Sequence, residues 1–314
     1  MNGPGGGRIL ITGATGFVGA SLTPWLAARG RRLRLALRHP AELPPGIESA
    51  VIGDISDPRN MARALEDIDT VIHCAGVAHA TEAIPDAVYD RINRQATLDL
   101  ARAAQRAGVR RFLFLSSIRA QSGPVAPRLL TEADAPAPTD AYGRSKLAAE
   151  QGLRDICAKG GMDHAALRPV LVYGPGVKGN MAALLRLAAS PWPLPLGGFT
   201  ARRSLLAIEN LCTAIETLAD APAPLNRAFI VADREALTAG QMVAAIRRGL
   251  GRAPMLLPAP TGLLAAAARL GGREEAIARL SGALEASPAA LLDLGWRPPV
   301  ATPDGLAALA GPRR

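Results

Sequence analysis

Apolar positions along the chain fall into short continuous runs separated by longer stretches of helical spacing. Residues 8–12 form a leucine and β-branched run that passes at once into glycines and then into a helical pattern over 17–28, which predicts strand, glycine-rich turn, helix. The alternation continues with strands at 33–37 and 50–53, a helix at 58–65, a strand at 70–74, a helix at 86–107 and a strand at 112–116. A polar, proline-containing loop over 121–138 precedes a helix at 142–158 and a strand at 165–172. Repeated βα units predict an α/β fold, a Rossmann-type doubly wound parallel sheet. Beyond Gly174 the alternation fades into Pro- and Gly-rich stretches with helical segments at 181–189, 208–218 and 238–250, which suits a smaller, mostly C-terminal substrate-binding domain.

At 314 residues and 49% hydrophobic content the chain can bury a large core, as one α/β unit or two closely joined domains. No apolar leader segment precedes the first strand, and no run of roughly 18 to 20 uninterrupted apolar residues follows it, which predicts a soluble, cytoplasmic protein. The most apolar late segment, 255–270, is interrupted by Pro258 and Pro260 and closed by Arg269, and reads as an amphipathic surface or interface helix rather than a membrane-associated one. Cys74, Cys157 and Cys212 are odd in number and lack CxxC spacing, and His39, His73, His79 and His164 form no ligand motif, so neither a disulfide framework nor a metal site is expected. The net charge of +9 is spread along the chain, with only pairs such as Arg31-Arg32, Arg110-Arg111 and Arg202-Arg203. With aromatics at 4% this argues against a nucleic-acid partner and for a field that draws anionic cofactor and substrate.

Three motifs carry candidate chemistry. Thr12-Gly13-Ala14-Thr15-Gly16-Phe17-Val18-Gly19 sits where a strand turns into a helix. Gly13 allows the tight turn, Gly16 the approach of a pyrophosphate and Gly19 close helix packing, with the helix N-terminus facing the anion. In Tyr142-Gly-Arg-Ser-Lys146 the helical spacing puts tyrosine and lysine on one face. With three tyrosines and three lysines such a pair arises by chance only about 3% of the time. A neighbouring ammonium favours the phenolate and makes the phenol a usable general acid/base at neutral pH. Ser116-Ser117 ends a predicted parallel strand, where ligands bind in such sheets, although turn or helix capping explains serines there equally simply.

On these motifs the sequence resembles the extended short-chain dehydrogenase/reductase superfamily, and within it the NAD-dependent epimerase/dehydratase group of nucleotide-sugar epimerases, dehydratases and reductases. The resemblance runs from the glycine motif to Leu294-Gly-Trp-Arg-Pro298. It implies that Tyr142 is the acid/base, that Lys146 holds the cofactor ribose and tunes Tyr142, and that Ser117, rather than Ser116, hydrogen-bonds the reacting oxygen. It further implies a dinucleotide site lined by Gly13, Thr15, Gly16, Phe17, Val18 and Gly19, by Asp54 and Ile55 near the adenine, by Cys74, Ala75 and Gly76 below adenine and ribose, and by Asn93, Tyr142, Lys146, Pro169 and Val172. For the substrate it implies Asn180 as a diphosphate contact and Arg203 as the pyrophosphate clamp. Asp54 as a simple turn cap, Asn93 as an ordinary helix residue and Arg203 as a solvated surface charge stand as alternatives; His73 and His79 read as loop or packing residues.

Two departures matter. The second strand ends in Leu37-Arg38-His39-Pro40 where an NAD site offers an acid, so Arg38 suits a 2′-phosphate and favours NADP(H) among NAD(P) cofactors. The family's Tyr-Gly after the serine is replaced by Ile118-Arg119-Ala-Gln121-Ser122-Gly123. The function expected is a nucleotide-sugar epimerase or 4-keto reductase, with a nucleotide-diphosphate sugar as partner and a homodimer implied by the resemblance. An NADPH-dependent reductase of a non-nucleotide carbonyl compound and a non-catalytic dinucleotide-sensing protein are the alternatives. Domain limits follow as 1–175 for the dinucleotide, with a return around 204–234, and 176–203 with 235–314 for the substrate.

Overall fold

The computed structural model describes residues 6–78, 84–260, 262 and 281–311; His79 lies outside them. β1 (Arg8–Thr12) leads through the glycine turn into α1 (Phe17–Ala27), followed by β2 (Leu33–Leu37), β3 (Ile47–Val51), α2 (Met61–Ala64) and β4 (Ile68–His73). Then come α3 (Asp86–Tyr89), a π-helical turn (Asp90–Gln95), α4 (Ala96–Arg106), β5 (Arg111–Leu115), a 3₁₀ turn (Ile118–Ala120), α5 (Ala141–Gly160) and β6 (Asp163–Pro169). The remainder comprises β7 (Leu171–Tyr173), α6 (Gly179–Ala189), β8 (Arg202–Arg203), β9 (Leu205–Ala207), α7 (Ile208–Asp220), β10 (Arg227–Val231), β11 (Leu237–Thr238) and α8 (Ala239–Gly249), with α9 (Ala289–Asp293) and α10 (Thr302–Ala310) near the end.

Seven strands form one sheet in the order β3-β2-β1-β4-β5-β6-β10, and every adjacent pair is parallel. The sheet is covered on both faces. Its central strands are buried throughout, as the continuous apolar runs predict. One apolar cluster joins β1, β2 and β10 to α1 and α7, and takes in Leu284, Ala286, Leu291 and Trp296 from the C-terminal part. A second joins Leu10, Val71, Phe112 and Phe114 to α4 and α5. A third, around Tyr173, Phe199, Met242, Val243 and Leu306, lies away from the sheet between α6, α8 and α10.

Three segments differ from the sequence pattern. The strand expected over 165–172 breaks at Val170, whose N–H donates to Val231 O at 3.1 Å, and Leu171–Tyr173 pairs instead with β9. Pro169 cannot donate to a ladder, which suits a change of partner there. The helix expected over 86–107 contains the π turn, which alters the phase of one buried face relative to the other. Residues 255–260, read as the start of a helix, are not helical: Leu256 bridges Leu194 and Leu257 N–H donates to Leu194 O at 2.9 Å. Pro254, Pro258 and Pro260 remove the N–H groups a helix would need. The rest of that expected helix, from 263 on, lies outside the described residues. Among the described residues no helix is long and apolar enough to cross a membrane, and no group of side chains could hold a metal ion.

Candidate active site

The glycine motif lies at the carboxyl end of β1, where the order of strands reverses between β2 and β4. Gly13 has φ of +71°, and a Cβ on it would stand 2.5 Å from Ala75 N; a Cβ on Gly19 would stand 2.2 Å from Gly13 O. The turn therefore lies flat against the loop after β4, and α1 is drawn tightly under it. No acidic residue occupies the first turn of α1. Its free N–H groups form a cradle that fits an anionic pyrophosphate, with Thr15, Gly16 and Phe17 exposed and Val18 half-buried around it. Arg38, exposed just beyond β2, stands 3.7 Å from the Asp54 carboxylate. Asp54 closes a turn by accepting from Ser56 N and Oγ at 2.8 and 2.7 Å, which holds its carboxyl below the usual range. Ile55 is half-buried beside it.

Below the cradle runs a buried chain of hydrogen bonds. Ala75 N–H donates to Thr12 Oγ1 (3.3 Å), and Thr12 Oγ1 meets His73 Nδ1 (2.6 Å). His73 Nε2 meets Thr97 Oγ1 (2.9 Å), which donates to Asn93 O (2.7 Å). The Thr97 direction puts a proton on Nε2, and burial, which pushes the His73 pKa down to about 3, keeps the ring neutral with Nδ1 accepting from Thr12. His73 thus ties β1, β4 and α4 together and is shut away from any reacting group. The π turn points Asn93 inward, where its amide exchanges both hydrogen bonds with Val77 (2.8 and 3.0 Å) and donates to Ser145 Oγ at 3.1 Å. Asn93 is fully buried, so the alternative of an exposed helix residue is set aside.

Ser117 caps the 3₁₀ turn after β5, its Oγ accepting from Arg119 N at 3.1 Å, and it also hydrogen-bonds the Tyr142 phenol. Ser116 points the other way and donates to Glu150, which pairs with buried Arg168. Tyr142 sits half-buried in the first turn of α5. Burial raises its pKa, while the Ser117 hydrogen bond and the nearby Arg119 charge act in the lowering direction. The net direction is opposite to the one the Tyr-x-x-x-Lys pattern predicts. Lys146, one turn along α5, instead donates to Leu115 O at 2.9 Å and lies 4.7 Å from the centre of the Phe114 ring. Burial brings its pKa down to about 8, with Glu150 opposing, so it is still largely an ammonium at neutral pH. Cys74, half-buried between the glycine turn and Lys146, has its thiol pushed up to about 12 and stays neutral.

A Cβ on Gly76 would stand 2.9 Å from Asn93 Oδ1 and 3.3 Å from Lys146 Nζ, so these three positions converge. Pro169 is buried at the end of β6 and Val172 half-buried in β7. Asn180 is exposed in the first turn of α6. Arg203, in β8, donates to Gly282 O (2.7 Å) and Pro124 O (2.9 Å), and burial, then the Arg119 charge, lowers its pKa; it is a half-buried, engaged side chain and not a solvated one. Chemically, a phenol and a hydroxyl meet at the carboxyl edge of a parallel sheet, with an ammonium one turn further along α5, an arrangement that can exchange a proton with an alcohol or carbonyl oxygen. The sequence pattern does not single out Asp140, which caps α5, or the Ser116–Glu150–Arg168–Gln121 network behind the site. Asp140 carries a readable signal, an N-cap residue directly before a helical pattern, whereas the network is assembled from distant segments.

Residues 9–232 match the profile of the NAD dependent epimerase/dehydratase family. A UDP-glucose 4-epimerase of Vibrio cholerae is 35% identical over 304 residues, covering 95% of this chain and 92% of the relative. The UDP-glucuronic acid 4-epimerase of Bacillus cereus, solved in complex with NAD, superposes with a TM-score of 0.76 at 17% identity over 96% of this chain and 95% of that one. RMD from Pseudomonas aeruginosa, complexed with NADPH, does so with 0.72 at 23% over 97% and 98%. Both dinucleotides are thus found on this fold.

Proposed function

The chain belongs to the NAD dependent epimerase/dehydratase family, as an NAD(P)-dependent enzyme of the extended short-chain dehydrogenase/reductase type, and from that premise we propose that it is a nucleotide-sugar epimerase or 4-keto reductase. The observation that carries the chemistry is the meeting of Ser117 and Tyr142 beside Lys146, next to the glycine cradle. The sugar class rests on the Vibrio cholerae relative.

In this reading the α1 N-terminus and the Gly13–Gly19 turn hold the pyrophosphate, and Arg38 and Asp54 flank the adenosine end. Asn93 and Lys146 shape the ribose pocket. When bound, the nicotinamide supplies hydride exchange at a sugar carbon. Tyr142 takes the proton from the alcohol oxygen as it becomes a carbonyl, or returns it, while Ser117 donates a hydrogen bond to the same oxygen. The Lys146 ammonium favours the phenolate form. Arg203 and Asn180 meet the diphosphate, and Arg203 suits that role because its guanidinium offers a planar fork. The same reading divides the chain into 1–175 with 204–234 for the dinucleotide, and 176–203 with 235–314 for the sugar.

The test is direct. Purified protein is incubated with UDP- and dTDP-linked hexoses and with a dTDP-4-keto sugar, with and without NADPH, and the anomeric proton signals are followed by NMR. Interconversion of C4 epimers, or NADPH-dependent reduction of the keto sugar, is expected. No turnover of any nucleotide-linked sugar, alongside reduction of a non-nucleotide ketone, would overturn the assignment.

A further inference from the structure

Arg119 and Asp140 join the turn that follows Ser117 to the helix that carries Tyr142. The Arg119 Nη2 donates to Asp140 Oδ2, and the two side chains are 18% and 28% exposed. Asp140 at the same time caps α5, its Oδ1 accepting from Gly143 N at 2.7 Å. Gly143 lies against the Arg119 carbonyl so closely that a Cβ at 143 would stand 2.3 Å from that oxygen. Arg119 N–H, in turn, donates to Ser117 Oγ. One residue therefore holds the Ser117 hydroxyl through its amide and the start of α5 through its carbonyl and its side chain. Arg119 Nε is buried without a hydrogen-bond partner among the described residues, a cost that stability alone does not explain.

We propose that the Arg119–Asp140 ion pair is a positioning device, which fixes Ser117 against Tyr142 and balances the charge beside the phenol. The inference rests on Tyr142 being the acid/base. Around the phenol stand Ser117 and Arg119 from the 3₁₀ turn, Tyr89 from α3 with ring centres 5.9 Å apart, Asp140 at the helix cap and Lys146 one turn along α5. Arg203 lies further out, where it feels the Arg119 charge. Asp140 disfavours the phenolate and Arg119 favours it. Paired, the two oppose each other, Asp140 acting the more strongly; a bare Asp140 would hold the proton on Tyr142, and a bare Arg119 would release it.

The experiment is an ultraviolet titration of tyrosinate in Arg119→Met, Asp140→Asn, the double variant and Arg119→Lys, with wild type. The chain has three tyrosines, and the component lost in Tyr142→Phe identifies the one at issue. Asparagine still caps a helix, so Asp140→Asn removes charge and not the cap. Arg119→Met should move the Tyr142 midpoint up, a fall in phenolate at a given pH, and Asp140→Asn should move it down by more. The double variant should lie between the two single variants, Arg119→Lys close to wild type, and the pH profile of kcat should shift in the same directions. If neither single variant moves the midpoint while circular dichroism shows α5 intact, the ion pair is structural only and the proposal fails. Wild-type turnover by Tyr142→Phe would instead sink the acid/base reading, and that result comes from a different variant.

Discussion

Tyr142 and Lys146 sit one turn apart, yet burial acts on them in opposite senses. It raises the phenol's pKa and lowers the ammonium's to about 8, because the charged form is disfavoured in each case. Tyr142→Phe keeps the ring and deletes the proton, so turnover should fall by roughly 10² to 10⁴ with dinucleotide affinity nearly unchanged, as single-turnover kinetics and calorimetry will show. Lys146→Met should also abolish most turnover but make the fold more stable, by up to about 3 kcal/mol. Its pKa is depressed in the folded chain, so the penalty is full below about 8 and fades as the pH rises toward the unfolded value of 10.5. Urea unfolding of both proteins between pH 7 and 10 checks this: the gap should narrow with rising pH. Arg38 is exposed and shares a long ion pair with Asp54, so it can turn to a 2′-phosphate, each charge-assisted hydrogen bond being worth roughly 1.5 to 3 kcal/mol. Wild type should bind NADPH more tightly than NADH and Arg38→Asp should reverse the order; equal or tighter NADH binding by wild type, measured by calorimetry, assigns NAD.

At the scale of elements, the site depends on how closely α1 and the π turn approach the sheet. Gly19 brings α1 within reach of the Gly13 carbonyl, with no room for a methyl group. Gly19→Ala should therefore push α1 off the turn, costing roughly 1 to 3 kcal/mol of stability as overpacking does, and cradle geometry should be lost with it. Weaker dinucleotide binding together with a lower urea midpoint is the expected pair of results; unchanged affinity would mean that the anion does not use this helix end. The π turn does for Asn93 what a regular helix could not, bringing its amide inward to Val77 and Ser145 while α4 keeps its own buried face.

Across the whole molecule, Asp233 joins parts that are distant in sequence. Its carboxylate accepts from Asn210 Nδ2 at 2.7 Å and Ala207 N at 3.1 Å in the β9–α7 segment, and from the Tyr173 hydroxyl of β7 at 3.3 Å. The same hydroxyl lies 3.3 Å from Thr302 O in α10, and Asn210 exchanges hydrogen bonds with Val300. Despite these donors, burial raises the Asp233 pKa to about 6. A raised folded pKa contributes stability that is complete below the unfolded value of 3.8 and is lost as the pH climbs through about 6. Wild type should therefore gain on the order of 1 kcal/mol over Asp233→Asn between pH 7 and pH 5, read as the difference in urea unfolding free energy. A constant difference would mean that Asp233 is ionised throughout.

The doubly wound sheet was legible in the sequence because each βα unit carries its own signal: the buried parallel strands read as continuous apolar runs, and the helices as one-sided stripes. The glycine turn was legible for the same reason, since its requirements are backbone requirements met within eight residues. A return of the chain around 204–234 was expected, but nothing in Arg227–Val231 says that a strand there adds to β6 after a crossover through α7. The change of partner at Val170 depends on Val231, and the failure of the helix over 255–260 on local prolines together with pairing to Leu194. At the site, the Tyr142–Lys146 pair could be named from spacing and Ser117 from the family resemblance, but their electrostatics could not. The sign of the Tyr142 shift, the directions in which Ser116 and Ser117 point, and the Arg119–Asp140 pair follow from burial and from side chains brought together across α5, β5 and the turn between them. Local periodicity writes itself into sequence; desolvation and long-range pairing arise only once the chain has closed upon itself.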